Sequence, residues 1–273
     1  MTASSGLAAT LYDDGRTAHG AFGIPVPCFS NSTSRIKAHW PQAEELRVAK
    51  LIILDEATMS SLDVISCINR LLKFVRKNDL PFGGITIVLS GDFRQTLPIV
   101  KHGKRATILE ACWKTSALFR ENFTTLRLTE NMRTGEGERE FSEFLMKLGN
   151  GELPLHPELG ADMIEILSDM ICEGNLIDEI FGEVINEENI DVMAKRAILC
   201  PRNDDTLKIN DEILKRMPGE ARVYASADTV STIVDTSQEE LANYSTEFIN
   251  SITPSGMPPH LLTLKVGCII MLL

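Results

Sequence analysis

The chain has six cysteines and no C-x-x-C among them. Cys28, Cys67, Cys112, Cys172, Cys200 and Cys268 are scattered, which argues against a disulfide framework or a zinc site and reads as reduced thiols of an intracellular protein. No apolar run approaches the ~20 residues that span a bilayer, so no membrane partner is expected. No basic-then-apolar leader opens the chain, so secretion is not expected either. Internal repeats and low-complexity tracts are also missing. What remains is ordinary globular sequence. Its 273 residues suit one large domain or two of common size, and a hydrophobic fraction of 44% is enough for a sizeable core.

Basic residues are scarce in one segment. Residues 140–193 hold fourteen acids, from Glu140 to Asp191, against the single base Lys147. That segment therefore carries −13 of a chain total of −11, which leaves +2 for everything else. The acidity is local, and a basic groove elsewhere is compatible with it. Bulk charge neither supports nor excludes a nucleic-acid partner.

The stretch that organises the rest is KLIILDEATM, residues 50–59. Leu51, Ile52, Ile53 and Leu54 run directly into Asp55 and Glu56. A short continuous apolar run predicts a strand buried on both faces of a parallel sheet. The two carboxylates then lie at its carboxyl end, where open α/β sheets bind ligands. Such a pair suits a nucleotide site, one acid for Mg²⁺ and one for water. Read alone, the stretch fits equally an ordinary strand followed by an acidic turn.

Upstream, Ser4-Ser5-Gly6 suits a tight turn into a short helix over residues 7–11, and Asp13-Asp14-Gly15 is a turn signal. Residues 24–39 read as a loop. Downstream, Ser60 is placed to cap a helix with Asp63 in its first turn, and Ile65, Ile68, Leu72 and Val75 recur at helical spacing. Residues 85–89 predict a second buried strand, ending in Ser90-Gly91-Asp92-Phe93-Arg94-Gln95. Residues 124–128 predict a third, ending in Asn131-Met132-Arg133. Phe141, Phe144, Leu145 and Leu148 mark a helix, and the acidic segment reads as short helices. A fresh strand is expected at 197–200, a helix at 203–217, irregular chain at 229–260 and an apolar strand from Gly267 to the end. Strands alternating with helices predict a doubly wound α/β fold.

Three polar strand ends thus converge: Asp55-Glu56, the loop through Gln95, and the loop through Arg133. Carboxylates manage metal and water. A glutamine amide can bond a γ-phosphate and orient water, and an arginine can stabilise a transferring phosphoryl group. For Arg94 a salt bridge holding its own loop is preferred to ligand contact. Trp40 and Trp113 are read as packing residues.

ILDEATM, GDFRQTLPIV and LTENMR, in this order and spacing, resemble motifs II, III and IV of the petite-integration-frequency (Pif-type) DNA helicases, in the RecD-like branch of helicase superfamily one. TASSGLAATLYDDGRTAHGAFGIPV resembles motif Ia of that family. The segments ILCPRNDDTLKINDEIL, MPGEARVYASADTV and YSTEFINSITPSGMPPHLLTLKVGCIIMLL resemble the Helitron-encoded version. The resemblance spans nearly the whole chain.

It implies tandem RecA-like (P-loop NTPase) domains. Residues 1–133 would be a first domain truncated at its N-terminus, 134–194 an acidic helical connector, and 195–273 the start of a second domain truncated at its C-terminus. It implies an ATP-dependent 5′→3′ DNA helicase with ATP as substrate and Mg²⁺ as cofactor. Asp55 would bind the ion through water, Glu56 would serve it and act as base, Gln95 would sense the γ-phosphate, and Arg133 would contact it. Thr2, Ser4, Thr17, His19 and Phe22 would touch single-stranded DNA, although Thr2 and Ser4 also suit a turn, and His19 and Phe22 a core. Single-stranded and forked DNA are the implied partners and a monomer the expected state. The family's association with telomere maintenance, replication-fork and repair work and rolling-circle transposition points to the nucleus, with the mitochondrion as alternative.

One departure stands out. The family carries a G-x-x-x-x-G-K-[ST] phosphate loop before motif Ia, and these 273 residues contain none. The chain is therefore expected to be an internal fragment with little or no ATP turnover of its own. The alternatives are a non-catalytic, transposon-derived remnant with at most weak DNA or partner binding, and a different phosphate-transferring enzyme with a similar acid pair.

Overall fold

The computed structural model describes residues 1–95, 97–100, 102–135, 137–156, 158, 163–182, 185, 189–228, 245–252 and 258–270. The chain divides into two compact units, Met1–Ile164 and Glu165–Leu273.

The first unit is built on β3 (Leu51–Asp55). It pairs in parallel with β1 (Thr2–Ala3) on one side and β4 (Thr86–Leu89) on the other, and β1 pairs in parallel with β2 (Arg16–Thr17). The order is β2-β1-β3-β4. The register sets Ala3 opposite Asp55 and Leu54 opposite Leu89. Parallel neighbours need a crossover, and α4 (Leu62–Arg76) supplies it between β3 and β4.

Helix α4 forms as its spacing predicts. Val64, Ile65, Ile68, Leu71, Leu72 and Val75 are buried, and its last turn closes on Lys77 in the left-handed region. Each such side chain contributes roughly 1.5–3 kcal/mol on burial. The cap differs from expectation. Ser61, not Ser60, accepts the Val64 N–H, because the Ser60 hydroxyl is bonded to Ser4. These apolar residues join Ile52, Leu54, Phe22, Phe82 and Trp113 in one core. Gly83 follows at φ +62°, and a Cβ there would lie 2.5 Å from the Leu72 carbonyl oxygen, so glycine lets the chain close under α4.

Helix α3 (Pro41–Val48) begins with proline in its first turn. Arg76 fastens it to α4 by donating to the carbonyls of Arg47, Ala49 and Gly83. Residues 24–39 form the expected loop, without helix or strand. Further helices are α5 (Arg105–Ala111), α6 (Ala117–Asn122) and α7 (Arg139–Asn150).

Three strand expectations need correction in this unit. β3 forms but is not buried on both faces: Ile52 and Leu54 are in the core, while Leu51 is 51% exposed and Ile53 half-buried. The strand of residues 85–89 forms as β4 but is not buried: its residues alternate between exposed and half-buried, because β4 is the edge of the described sheet. Residues 124–128 form no strand. Leu126 is 90% exposed, and a strand needs a ladder partner as well as β-forming residues.

The second unit contains α8 (Leu176–Phe181), α9 (Ile190–Met193), α10 (Asn203–Arg216) and α11 (Thr246–Ser251). The short helices of the acidic segment and the helix after residue 203 thus form as expected, whereas α11 is a helix within the stretch 229–260 expected to be irregular. Strands β5 (Arg222–Ala225) and β6 (Leu261–Leu264) pair antiparallel, with Tyr224 opposite Leu262. Lys265 Nζ donates to the Met217 carbonyl at 2.7 Å. Residues 197–200 are not a strand, and Leu199 is 94% exposed. Residues 267–270 are not a strand either. Residues 271–273, and 229–244 and 253–257 of the expected irregular region, lie outside the described residues.

All six cysteines are free. Among the described residues no helix is long and apolar enough to cross a membrane.

Candidate nucleotide site

The site lies where β1, β3 and β4 end. Backbone bonds join these ends: Ser4 N–H donates to the Asp55 carbonyl at 2.9 Å, Ser90 N–H to Leu54 at 2.9 Å, and Ala57 N–H to Ser90 at 2.8 Å. The Ser4 and Ser60 hydroxyls are bonded at 2.8 Å. A parallel sheet delivers all three ends to the same side, which is why motifs distant in sequence meet here.

The Asp55 carboxylate is held from two directions. Tyr12 Oη donates to Oδ2 at 2.5 Å, and Ser90 Oγ donates to Oδ1 at 2.8 Å. Burial works against the charged form. The bonds from Tyr12 and Ser90, the Glu56 N–H and the positive field of Arg133 outweigh it, so the carboxyl is held below its ordinary value. Tyr12 responds in the opposite sense: its bond to Asp55, slight burial and the charges of Asp55 and Glu56 raise the phenol. At neutral pH the pair is therefore a phenol donating to a carboxylate.

Glu56 sits at φ 50°, ψ 34°, a left-handed conformation that costs energy for a side-chain-bearing residue. The turn it opens, Ala57–Met59, is pinned from below. Trp113 Nε1 donates to the Ala57 carbonyl at 2.7 Å, in the core. Trp113 packs against Phe93 and Phe119 at centroid distances of 5.2 and 4.8 Å, so it is the expected packing residue and also an anchor of the acidic turn. Gly91 faces this turn. A Cβ on Gly91 would come within 3.0 Å of the Thr58 side chain.

In the loop after β4, Arg94 forms the expected salt bridge. Its Nη2 lies 2.8 Å from Asp92 Oδ2 and its Nε donates to Oδ1 at 2.9 Å. The arginine bond pulls the Asp92 carboxyl below its ordinary value despite some burial. Gln95 follows, exposed, its N–H on the Asp92 carbonyl at 3.0 Å. Arg133 is exposed and its N–H donates to Asn131 Oδ1 at 2.9 Å; Asn131 Nδ2 in turn donates to Ser142 on α7 at 2.6 Å. Arg133 therefore reaches Asp55 by its field, while Gln95 presents its amide to solvent.

The residues expected at DNA divide by exposure. Thr17 caps the short helix α2 (Ala18–Phe22) by accepting the Gly20 N–H. Ser4 is tied to Ser60, and Thr2 Oγ1 donates to the Ile53 carbonyl at 2.8 Å. His19 is half-buried, and burial lowers its imidazole below the ordinary value. Phe22 is a correction: at 1% exposure in the core, it has no face left for a base.

Tyr12 and Ser90 were not singled out from sequence. Tyr12 lies in the turn after the first helix, α1 (Gly6–Ala9), and Ser90 follows β4, and neither position carries a spacing signal for contact with Asp55. Among the described residues no three His, Cys, Asp or Glu side chains gather to hold a metal ion.

Residues 1–158 match the family described as PIF1-like helicase. The chain belongs to the PIF1-like helicase family. Residues 247–273 match the 2B domain of DNA helicase Pif1. ATP-dependent DNA helicase Pif1 of Psychrobacter sp. is 25% identical over 272 residues, 99% of this chain and 36% of that protein. ATP-dependent DNA helicase PIF1 of Candida albicans is 26% identical over 280 residues, 99% of this chain and 27% of that one. The crystal structure of Bacteroides Pif1 bound to ssDNA superposes with a TM-score of 0.58 at 24% identity, covering 82% of this chain and 48% of that chain. The last likeness establishes the fold: an α/β PIF1-like helicase architecture with a parallel RecA-like sheet. The chain spans about a third of the length of these curated relatives.

Proposed function

We propose that this PIF1-like chain carries the metal- and water-handling side of the ATP site of a 5′→3′ DNA helicase, with single-stranded and forked DNA as partners. The observation that carries the reading is Asp55, ionised at the end of β3 and held by Tyr12 and Ser90 beside Glu56. The donor set suits Mg²⁺, which binds through one or two carboxylates together with water and phosphate oxygens, not through an all-protein cage. When bound, Mg²⁺ would neutralise developing phosphate charge. Asp55 would hold it through water, with Glu56 alongside. Glu56 accepts the proton of the attacking water, Gln95 orients that water against the γ-phosphate, and Arg133 stabilises the transferring group. Thr2 and Ser4, on and just after β1, and Thr17 and His19, at the start of α2, would face the DNA.

In this reading residues 1–133 are a first RecA-like domain, 134–194 an acidic connector and 195–273 the opening of a second, including the stretch that matches the 2B domain. The protein acts as a monomer in the nucleus, with the mitochondrion as the alternative compartment. The Helitron-like subgroup rests on the sequence motifs alone. A non-catalytic reading of the isolated chain is favoured by one observation: its 273 residues contain no G-x-x-x-x-G-K-[ST].

The test is ATP hydrolysis stimulated by single-stranded DNA. It is measured for the chain alone and for a chimera in which residues 1–158 replace the matching segment of Candida albicans PIF1. The reading expects turnover by the chimera and next to none by the chain. A folded chimera that binds nucleotide without turning it over contradicts it.

A further inference from the structure

Among the acid-free stretches of this acidic chain, two are neighbours in the fold. Residues 15–43 carry Arg16, Arg35 and Lys37, and residues 64–78 carry Arg70, Lys73, Arg76 and Lys77. The fold brings them together. The loop after α2 lies along α4, and a groove of about 540 Å³ opens between them; its walls are mostly apolar, from Phe74, Leu71 and Ile36, with Lys37, Arg70 and His39 among them and no carboxylate.

The groove's cations are uncommitted to acids. The groove's two cations are Lys37 and Arg70, and neither forms an ion pair among the described residues. The Arg70 guanidinium is oriented, its Nη2 donating to the Ser32 carbonyl at 2.6 Å. Lys37 and His39 are exposed. Phe74 is 60% exposed although its helix neighbours Leu72 and Val75 are in the core, so its ring is an open apolar face in a groove that also holds Lys37 and Arg70.

We infer that this groove binds single-stranded nucleic acid, with phosphates on Lys37 and Arg70 and a base stacked on Phe74. Cations that track a backbone, combined with an exposed aromatic face, are what strand binding without sequence preference requires. An acidic peptide would satisfy the cations but gain less from an open ring. The groove lies on the outer face of α4 and uses none of the residues placed at the nucleotide site or at the ends of β1 and β2. It is a second contact for a strand, and it stands whether or not the ATP-site reading does.

The test is fluorescence anisotropy of a labelled oligo(dT) 20-mer with the whole chain, the Lys37→Glu variant and the Phe74→Ala variant, at several salt concentrations. Both side chains are exposed, and equal melting temperatures check that the variants fold. The inference expects Phe74→Ala to weaken binding about tenfold. Lys37→Glu should weaken it further and reduce the slope of log affinity against log salt by about 0.7. With a 5-iodouracil oligonucleotide, photocross-linking should mark Phe74 in the parent chain. Unchanged affinity and slope in both folded variants would overturn the inference. So would binding of oligoglutamate, but not oligo(dT), in a manner sensitive to Lys37→Glu, since the groove would then be a site for acidic protein.

Discussion

Tyr12 donates its hydroxyl to Asp55 Oδ2 at 2.5 Å, joining the turn after the first helix to the acid of motif II across 43 residues of chain. With Ser90 on the other oxygen, the carboxylate is oriented before any ligand arrives. Such supporting bonds are a large part of what fixes a metal ligand.

Replacing Tyr12 by Phe should therefore act on Asp55. The Asp55 carboxyl should titrate at a higher pH, read from its side-chain carbon resonance in a labelled sample. In the chimera, Mn²⁺ affinity in the presence of nucleotide should fall about ten- to a hundredfold. An unchanged titration and affinity would remove Tyr12 from the site.

The Asp92–Arg94 pair makes a prediction about pH. Arg94 holds the folded Asp92 pKa below its ordinary 3.8, so the pair's stabilisation is fully present above that value. It is lost as pH falls through the lower folded value. As a surface pair it is worth less than about 1 kcal/mol. In urea unfolding, Asp92→Asn should be less stable than the parent at pH 6, and the difference should vanish below the folded pKa. A difference that stays constant down to pH 2 contradicts the ion-pair explanation.

Trp113→Phe removes the indole N–H and leaves the Ala57 carbonyl with the Ser60 N–H, at 3.0 Å, as its remaining donor. The cost should be about 1 kcal/mol in urea unfolding, the net worth of one lost hydrogen bond. Because the Ala57–Met59 turn positions Glu56, turnover by the chimera should also fall, more than nucleotide binding does. Loss of stability without change in turnover would separate Trp113 from the acidic turn.

Much of this was legible in sequence because it depends on local pattern. The strand carrying Asp55, the apolar face of α4, the loop of residues 24–39 and the Arg94 salt bridge all follow from short-range spacing or neighbouring charges. The convergence of motifs II and III is legible because successive parallel strands end on the same side. What escaped depends on partners. β1 and β2 are two residues each and exist only by pairing with neighbours. Residues 124–128 have strand-like composition but no ladder to join. Ser60 and Ser61 are equivalent as caps until Ser4 engages Ser60. Phe22 lies beside polar motif Ia residues in sequence, yet the core takes it. Tyr12 could be assigned only once the first helix was folded back toward β3.

The central claim, that Asp55 and Glu56 manage metal and water in an ATP site, is tested most directly by Glu56→Gln in the chimera. The account predicts that ATP binding is retained while single-stranded-DNA-stimulated hydrolysis falls roughly 10²- to 10⁴-fold, the contribution of a general base. Hydrolysis at the parent rate in a folded, nucleotide-binding Glu56→Gln protein would contradict it.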